Sequence, residues 1–386
     1  MKIGMFTDSY RPYTSGVVRS IETTAAKLTE LGHEVYIFAP CYPQYEKEAK
    51  VFRFISVPTP TYPDFAIALP FSLYLRSTIK KIGLDVIHVH SPFSMGLLGA
   101  RSAKRFGIPL VFTYHTMYDQ YVHYLPFAQN ISRKVVLRLS RNFCNRCDLV
   151  ITPTEVVRAL IEKHLQTQVE AVPTGIDLDE FSTVNSNWLR ETYQIDAKTK
   201  ILLHLGRMGK EKNIGFLLQA YSEIIKKQPD TRLVIVGDGP ERVHLIEQTE
   251  QMGLGHAVIF TGGLTRQNVV DSYASADVFI FASTTETQGL VLGEAKAAGT
   301  PVVAVKALGA SEMVTDGVDG FLTPLSLEHF NARVLELLEN DQLREEMSKR
   351  AVIESEAISA INMAKKLADS YEGIIDKKRS RTYSAV

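Results

Sequence analysis

Residues 283–300 read STTETQGLVLGEAKAAGT and mark the passage from a strand into a helix. The run that leads into them, VFIFAS, is short and apolar, which is typical of a buried strand. A helical pattern begins at Gly289 and Leu290, so the residues between form a connecting loop. Glu286 lies in that loop, and Glu294 follows eight residues later, inside the helix. The segment therefore predicts one βα unit with two carboxylates near the C-terminal end of its strand.

The start of this helix is suited to binding an anion. The amides of residues 288–291 have no partner within the helix, and a helix N-terminus carries a partial positive charge that attracts phosphate groups. Glu286 and Glu294 lie on either side, where their carboxylates can accept hydrogen bonds from hydroxyl groups. A nucleotide diphosphate sugar presents its groups in this order, with phosphates between a ribose and a second sugar. Two solvated surface glutamates are the alternative interpretation.

Length and composition predict a globular protein of two domains. The chain has 386 residues, of which 45% are hydrophobic and 22% charged, and this length suffices for two separate cores. The N-terminal sequence MKIGMFTDSY lacks the pattern of a secretory signal. The longest nearly uncharged run, residues 65–75, is interrupted by Pro70 and is too short to span a bilayer. We therefore expect a cytoplasmic protein.

Metal and disulfide chemistry are not predicted. Three cysteines do not make a disulfide framework, and the C-x-x-C of Cys144 and Cys147 has no second ligand pair near it in the sequence. His88 and His90 share one face of a strand, again without an evident third ligand. The D-x-D sequence at residues 177–179 lies between the apparent domains and is interpreted as a structural turn. We expect no metal cofactor.

Short apolar runs alternate with helical patterns along almost the whole chain. Such alternation predicts parallel sheets covered by helices on both faces. It restarts after the polar stretch 177–200 with the apolar run ILLHLGR. We predict an α/β fold with two doubly wound, Rossmann-like domains at residues 1–176 and 177–356, and a C-terminal helix of about residues 357–386 that packs back on the first domain. Strand ends that face each other would form a cleft between the domains.

Several polar residues follow directly after predicted strands, where open α/β sheets bind their ligands. Arg207 and Lys212, in GRMGKEKN, could neutralise a departing diphosphate as a metal ion otherwise would. Gly16 opens a helix and allows a phosphate to approach the backbone closely. His115 ends a strand and could bind sugar hydroxyls. Each has an alternative interpretation. Arg207 and Lys212 also fit a solvated ion pair, Gly16 fits a tight turn, and His115 fits a packed histidine. A group that could grip the sugar ring follows His115 and consists of Tyr118, Tyr121, His123 and Tyr124.

The combination of these motifs resembles the retaining GT-B glycosyltransferases of family 4. It consists of the E-x7-E spacing from Glu286 to Glu294, the cations Arg207 and Lys212, the sequence GDGP at residues 237–240 and the opening TDSYRPYTSGV at residues 7–17. The resemblance covers nearly the whole chain and implies two domains that face each other across a cleft. Within the family, TDSYRP-x-x-SGV and TETQGL are most similar to bacterial 1,2-diacylglycerol 3-glucosyltransferases.

The resemblance implies a role for each matching residue. Glu294 would bind the ribose of the donor and Glu286 its sugar, while Arg207 and Lys212 would hold the diphosphate. His115 would contact the donor sugar near its reactive carbon. The remaining donor contacts would come from Gly16, Gln288, Gly289 and Leu290 to the diphosphate and from the backbone at Gly263 and Leu264 to the base. Many members of the family carry an aromatic residue where this chain has Gln288. This difference bears on the identity of the donor sugar more than on that of the nucleotide.

The resemblance also implies a reaction. A hexose, glucose from UDP-glucose or the sugar of another nucleotide sugar, would pass to a lipid hydroxyl such as that of diacylglycerol, with retention of configuration. No carboxylate is well placed as a nucleophile, which favours departure of the diphosphate from the face that the acceptor attacks. A soluble sugar or small-molecule acceptor, and a non-catalytic protein that binds sugar nucleotides, are the alternatives. An NAD-dependent oxidoreductase is disfavoured because no G-x-G-x-x-G follows the first strand.

Charge is unevenly distributed and predicts an anionic membrane surface as a partner. Residues 1–150 contain 18 Lys and Arg against 10 Asp and Glu, whereas the remainder contains 25 against 33. Within residues 130–147, helical spacing places a cationic face opposite an apolar face that would pack on its own sheet. The cationic face consists of Arg133, Lys134, Arg138 and Arg141, and the apolar face of Val135, Val136, Leu139 and Phe143. We predict peripheral attachment to the inner face of the plasma membrane. Nucleic acid is disfavoured as a partner because the sequence lacks the motifs that bind it.

Overall fold

Two β-sheets whose strands run parallel form the framework of the computed structural model. The described residues are 1–43, 45–58, 66–69, 71–117 and 129–383, without the side chains of residues 129–133 and 381–383. Contacts divide the chain into two compact units. The first unit is Met1–Gly175 with Ala360–Val386, and the second is Ile176–Ser359. Each unit contains one of the two sheets.

The strands described in the first unit are β1 (Lys2–Phe6), β2 (Glu34–Pro40), β3 (Val51–Phe54), β4 (Ser56–Pro58), β5 (Ala66–Ala68), β6 (Val86–Val89), β7 (Leu110–Thr113), β8 (Leu149–Thr152) and β9 (Val169–Ala171). Seven of them pair in parallel in the order β3-β2-β1-β6-β7-β8-β9, while β4 and β5 form an antiparallel hairpin. Strands β6, β7 and β8 are buried along their whole length. Continuous burial is expected for parallel strands covered on both faces, and it explains their uninterrupted apolar sequences.

The strands described in the second unit are β10 (Lys200–Leu205), β11 (Thr231–Val236), β12 (Val258–Gly262), β13 (Val278–Phe281), β14 (Val302–Val305) and β15 (Gly320–Thr323). All six pair in parallel, in the order β12-β11-β10-β13-β14-β15. Strands β13 and β14 are fully buried. Their apolar side chains divide between two core clusters, one on each face of the sheet.

The helices follow from local signals in the sequence. Several begin at a Ser or Thr whose hydroxyl accepts a hydrogen bond from the backbone amide three residues later, as at Ser15, Thr154, Thr265 and Ser326. The described helices are α1 (Gly16–Glu30), α2 (Leu75–Ile82), α3 (Ser94–Phe106), α4 (Gln129–Cys144), α5 (Glu155–Glu162), α6 (Trp188–Tyr193), α7 (Ile214–Lys227), α8 (Arg242–Gln251), α9 (Arg266–Ser275), α10 (Leu290–Ala297), α11 (Ala310–Met313), α12 (Leu327–Glu339), α13 (Asp341–Ser355) and α14 (Ala360–Tyr383).

Helix α14 returns the end of the chain to the first unit. It lies beside α1, and Tyr371 Oη is 2.5 Å from Nδ1 of His88 in the buried sheet. Because its apolar residues recur every three or four positions, they share one face of the helix. These residues are Ala364, Leu367, Ala368, Tyr371, Ile374 and Ile375, and they belong to the same core cluster as Ile3, Met5, Val86 and Val111 of the sheet.

Each sheet contains a point at which the order of its strands reverses. In the first unit the reversal lies between β1 and β6, and in the second between β10 and β13. Open α/β sheets bind ligands at such points, outside the C-terminal ends of the strands, because the flanking connections diverge and leave a crevice. A ligand site of the second unit is therefore expected at the loops that follow β10 and β13.

Helix α4 differs from the predicted amphipathic arrangement. Among the residues of α4 whose side chains are described, Ser140, Phe143 and Cys144 are buried, and they have the spacing of one helix face. Val135 and Leu139 are 50% and 63% exposed, so their predicted packing on the sheet is wrong. The helix packs on the unit through its C-terminal half, which leaves these two apolar side chains beside the cations in solvent. Lys134, Arg138 and Arg141 are exposed, whereas the side chain of Arg133 lies outside the described residues.

Two further features were not predicted from the sequence. The short strands β4 and β5 pair through Ser56–Ala68 and Pro58–Ala66, and the hairpin presents Val57 and Ile67 to solvent. Helix α2 follows shortly after it. Among the described residues, no helix has both the length and the apolar composition required to cross a bilayer.

Candidate active site

An ion pair joins the loops that follow the two central strands of the second sheet. Lys212, after β10, donates from Nζ to Oε1 of Glu286, after β13, and each side chain is 17% exposed. Two further hydrogen bonds fix the loops to each other: Ser283 Oγ donates to the carbonyl of Glu211 at 2.9 Å, and Asn213 Nδ2 to that of Ala282 at 3.5 Å. The predicted diphosphate ligand Lys212 and the predicted sugar ligand Glu286 are thus direct neighbours.

The loop after β11 supports the loop after β10 through close backbone contacts. The Met208 amide donates to the carbonyl of Asp238 at 2.8 Å, and the Glu241 amide to that of Met208 at 3.0 Å. Gly237 has φ +129°, and a Cβ there would lie 2.1 Å from the carbonyl oxygen of Gly206. Only glycine permits both this conformation and this approach. The GDGP sequence therefore holds the neighbouring loop in place.

Arg207 lies on the same loop as Lys212. Its Nη1 is 3.5 Å from Oε1 of Glu211, whose side chain is almost fully buried, while the side chain of Arg207 is 41% exposed. The buried carboxylate orients the arginine and leaves part of its fork towards solvent. The two cations that the sequence predicts for a diphosphate therefore lie at one edge of the sheet, each beside a carboxylate.

The loop before α10 is held tightly against a neighbouring segment. The Gly309 amide donates to the carbonyl of Glu286 at 2.9 Å, and a Cβ on Gly309 would lie 2.1 Å from the carbonyl oxygen of Thr287. Gln288 is buried, and Gly289 caps the helix with φ +87°, a conformation that favours glycine. The first amides of α10 begin directly after it at Leu290 and carry the partial positive charge of a helix N-terminus.

Glu294 lies one turn into α10 and is held on both carboxylate oxygens. Its Oε1 is 2.8 Å from Nη1 of Arg266, and its Oε2 accepts a hydrogen bond from the Tyr273 hydroxyl at 3.0 Å. Arg266 also donates to Oε2 of Glu180 at 2.6 Å. Burial, and then the charge of Glu294, raise the pKa of Tyr273, so its hydroxyl stays a donor. The predicted ribose ligand is therefore fixed in one orientation.

Sequence reasoning missed Arg266 and Tyr273. Both lie on α9, and Arg266 is the first residue of that helix, directly after the loop that leaves β12. Arg266 could have been identified from the sequence, because it is a cation that follows shortly after a predicted strand. Gly263 and Leu264, predicted to meet the base, lie in this same loop and immediately precede the helix cap Thr265. Their backbone therefore lies on the strand-end edge that also carries Lys212.

In the first unit, His115 belongs to a chain of imidazoles in which His88 and His90 are buried and His115 is half-buried. His90 Nδ1 lies 3.0 Å from His115 Nε2, and the rings of His88 and His90 are 4.2 Å apart. Thr113 Oγ1 is 2.7 Å from His88 Nε2. Burial lowers the pKa of His115 to about 4, so the ring is neutral near pH 7. The cluster predicted to grip the sugar ring, Tyr118, Tyr121, His123 and Tyr124, lies outside the described residues.

Gly16 and Asp8 follow strand β1 of the first unit, and their surroundings differ: Gly16 is accessible, whereas Asp8 is buried. Gly16 is the first residue of α1, and no heavy atom lies within 4 Å of a Cβ built on it, so a ligand can reach its backbone. Asp8, which was not singled out from the sequence, accepts hydrogen bonds from the Ser91 hydroxyl and, at 3.0 Å, from the Met95 amide. Burial raises the pKa of Asp8. The hydrogen bond from the Met95 amide ties Asp8 to the first turn of α3, so Asp8 has a structural role.

The residues considered as metal ligands do not form a cluster in the described part of the chain, where no group of three or more His, Cys, Asp or Glu side chains is arranged to hold an ion. Cys144 and Cys147 are buried, and burial raises the pKa of Cys144 to about 12, which disfavours the thiolate that binds zinc. Asp177 precedes the 3-10 helix Leu178–Phe181, and Asp179 lies within it.

The sequence of this chain is similar to those of known glycosyltransferases. The model of Glycosyltransferase Family 4 matches residues 14–180, and that of Glycosyl transferases group 1 matches residues 186–352. The α-monoglucosyldiacylglycerol synthase of Streptococcus pneumoniae is 35% identical over 380 residues, covering 96% of this chain and 85% of that protein. The enzyme of the same name from Acholeplasma laidlawii is 31% identical over 396 residues, covering 99% of each chain.

The chain belongs to glycosyltransferase family 4. The protein is therefore a glycosyltransferase, as predicted. The crystal structure of Anabaena HepE in complex with UDP and glucose superposes with a TM-score of 0.76 at 21% identity, covering 97% of this chain and 100% of that one. This likeness confirms the predicted GT-B fold with its two Rossmann-like domains.

His204 of this glycosyltransferase lies directly beneath the site and is fully buried in β10. Its Nδ1 donates to the carbonyl of Ile280 at 3.1 Å, and its ring stacks on Phe281 with 6.0 Å between ring centroids. Burial lowers the pKa of His204 to about 4, although the hydrogen bond to the Ile280 carbonyl opposes this shift. The folded protein therefore keeps this imidazole neutral.

We expect acid to destabilise the second unit through His204. In the unfolded chain its pKa returns to about 6.5. The resulting stability is complete above that pH and is lost as the pH falls towards 4, by about 2 kcal/mol at pH 5. Urea unfolding should show a lower midpoint at about pH 5 than at about pH 7.5. His204→Phe should shrink that difference; an equal difference in both proteins would contradict this account.

Proposed function

We propose that this glycosyltransferase transfers glucose from UDP-glucose to the hydroxyl of a membrane lipid such as diacylglycerol, with retention of the anomeric configuration. The observation that carries the proposal is the cluster at the strand-order reversal of the second sheet, where Lys212, Glu286 and the N-terminus of α10 lie together. The two relatives described above, both α-monoglucosyldiacylglycerol synthases, support the lipid acceptor and the glucosyl donor.

The donor is inferred from the chemistry of this edge. Lys212, Arg207 and the first amides of α10 offer positive charge to a diphosphate. Glu294, held by Arg266 and Tyr273, can still accept hydrogen bonds from ribose hydroxyls, because each carboxylate oxygen has two lone pairs. HepE, a structural neighbour, binds UDP and glucose, which supports a uridine nucleotide. The backbone at Gly263 and Leu264 would meet the base.

The proposed reaction exchanges one bond for another on the same face of the sugar. The bond from the anomeric carbon to the diphosphate oxygen breaks, a bond to the acceptor oxygen forms, and the acceptor proton passes to the departing diphosphate. Lys212, Arg207 and the amides of residues 288–290 stabilise the charge that develops on the leaving group, and Gly16 adds a backbone contact. Glu286 orients the sugar hydroxyls, and neutral His115 contacts the sugar near its reactive carbon. The proposal includes no metal ion.

We expect Lys212→Ala to slow transfer by at least ~100-fold, the scale for loss of a preorganised charge at a leaving group. The measurement follows label from UDP-[14C]glucose into vesicles that contain diacylglycerol. Lys210→Ala is the matched control, since Lys210 lies on the same loop, is exposed and has no assigned role. The control should retain the parental rate.

The same assay distinguishes the alternatives. Label that enters a soluble sugar but no lipid would replace the lipid acceptor with a soluble one. Tight binding of UDP-glucose without transfer or hydrolysis would indicate a binding protein and contradict the proposed reaction. Equal rates for Lys212→Ala and Lys210→Ala would show that the donor site has been placed on the wrong loop. Loss of all transfer upon chelation, with recovery on adding Mg²⁺ or Mn²⁺, would contradict the metal-free reaction.

Attachment to an anionic membrane, at the inner face of the plasma membrane, is the second part of the proposal. Lys134, Arg138 and Arg141 lie on the exposed side of α4, flanked by the exposed apolar side chains Val135 and Leu139. Such a helix lies in the interface between headgroups and acyl chains, with cations on the phosphates and apolar residues below them. Each cation near an anionic leaflet contributes about 1 kcal/mol.

We expect the protein to sediment with vesicles that contain phosphatidylglycerol, more strongly as the anionic fraction rises and less strongly as salt is added. Replacing Lys134, Arg138 and Arg141 together by Gln should reduce the bound fraction several-fold without changing the affinity for UDP. Gln at Lys226, Lys349 and Arg350, three exposed cations of the second unit, is the matched control. Parental binding by the α4 variant would contradict attachment through this helix.

A further inference from the structure

An apolar groove runs between the start of α3 and helix α4 in the first unit. It has a volume of about 480 Å³, within the range of sites that bind small molecules. Phe93 and Leu139 form its lip and are 56% and 63% exposed. Exposed apolar side chains that converge on one groove mark an interaction site more often than isolated ones do. The apolar residues that line it are Pro92, Phe93, Leu97, Val136, Leu139 and Phe143.

A basic pocket adjoins this groove. It has a volume of about 640 Å³ and shares two lining residues with the groove, Leu97 and Arg146, so the two spaces meet. Its walls carry four cations and one carboxylate, and that carboxylate is already held by Lys378 at 2.9 Å and by the amide of Leu110 at 2.8 Å. The charged residues are Arg101, Lys104, Arg146, Lys378 and Asp148. An anion is the ligand that this excess of positive charge favours.

We propose that the groove and the pocket together bind one molecule of an anionic phospholipid. An acyl chain lies in the groove between Phe93 and Leu139, and the phosphate lies in the pocket on Arg101, Lys104 and Arg146. Arg146 lines both spaces and marks the boundary between the apolar and the charged part of the ligand. Its own stem can pack on the chain while its guanidinium reaches the phosphate.

The adjacency of the two spaces is the reason for this choice of ligand. A soluble phosphorylated metabolite would fill the pocket and leave the groove unused. A neutral lipid, such as the proposed acceptor, would fill the groove and leave Arg101, Lys104 and Arg146 without a counter-charge, since only Lys378 is paired with Asp148. Only an amphiphile with an anionic head group both fills the apolar groove and neutralises the cations of the basic pocket. The site shares Leu139 with the α4 surface proposed above, but it uses none of the cations of that surface and none of the donor loops of the second unit.

The inference rests on the proposed function only in that a membrane supplies the lipid. A water-soluble probe therefore separates the two. Dihexanoyl phosphatidic acid, below the concentration at which it forms micelles, binds a preformed site without a bilayer. sn-Glycerol 3-phosphate presents the same phosphate without the chains, and dihexanoyl phosphatidylcholine presents the chains with a zwitterionic head. Binding of each is measured by isothermal titration calorimetry on the full-length protein.

We expect phosphatidic acid to bind at least ~10-fold more tightly than either comparison compound, because only this probe uses both spaces. Replacing Arg101, Lys104 and Arg146 by Gln should weaken its binding at least ~10-fold, as should Val136→Trp, which fills the groove. Arg105→Gln is the matched control, because Arg105 is an exposed cation of α3 that does not line the pocket. This variant should bind the probe with the parental affinity. Lys212→Ala and the α4 triple variant should also bind the probe normally.

Three results would overturn the site. Equal affinity for phosphatidylcholine would show that the pocket does not contribute, and equal affinity for glycerol phosphate would show that the groove does not. Parental binding by the triple Gln variant would place the lipid elsewhere. Unfolding of a variant is distinguished by circular dichroism, and a diazirine on the acyl chain of phosphatidic acid gives an independent readout on the parental protein. It should label peptides from α3 and α4, and labelling confined to other segments would contradict the assignment.

Discussion

Parallel strand pairing is the constraint on which the polar chemistry of this chain depends. All strands of the second sheet run in one direction, so the loops after β10, β11, β12 and β13 emerge at the same edge. The reversal between β10 and β13 leaves that edge open where the two central loops begin. Lys212 and Glu286, 74 positions apart in sequence, meet there without either lying in a strand. The packed helices and the cores fix the positions at which these loops begin.

The carboxylates at this edge already have cationic partners before any donor binds. Lys212 is paired with Glu286, and Glu294 with Arg266. Partly buried charges without partners are costly, so this pairing stabilises both carboxylates and both cations. In the proposed reaction a diphosphate would compete with Glu286 for Lys212, and the displaced carboxylate would become available to sugar hydroxyls. Glu294 has two partners and would keep its orientation throughout.

Sequence patterns predicted the fold well because buried parallel strands leave a strong signal: β13 and β14 are apolar at every position. The same patterns could place polar residues after strands, which brought Lys212, Glu286 and Glu294 to one edge. They could not identify Arg266 or Tyr273 as partners of Glu294, because side-chain pairing across helices has no sequence period. The periodicity of α4 showed two chemically different faces, but it contained no information about how much of the helix the sheet would cover. Val135 and Leu139 were misplaced for that reason.

Helix α14 has a consequence for how the protein is made. The core of the first unit between its sheet and α1 is completed by side chains from the last helix, among them Leu367, Tyr371 and Ile374. During synthesis these residues leave the ribosome after the entire second unit has been translated. Part of the apolar face of the first sheet therefore lacks its cover on the nascent chain, whereas the second unit, whose contacts lie within one continuous segment, can close as soon as it emerges. The unit that is translated first is therefore the one whose core is completed last.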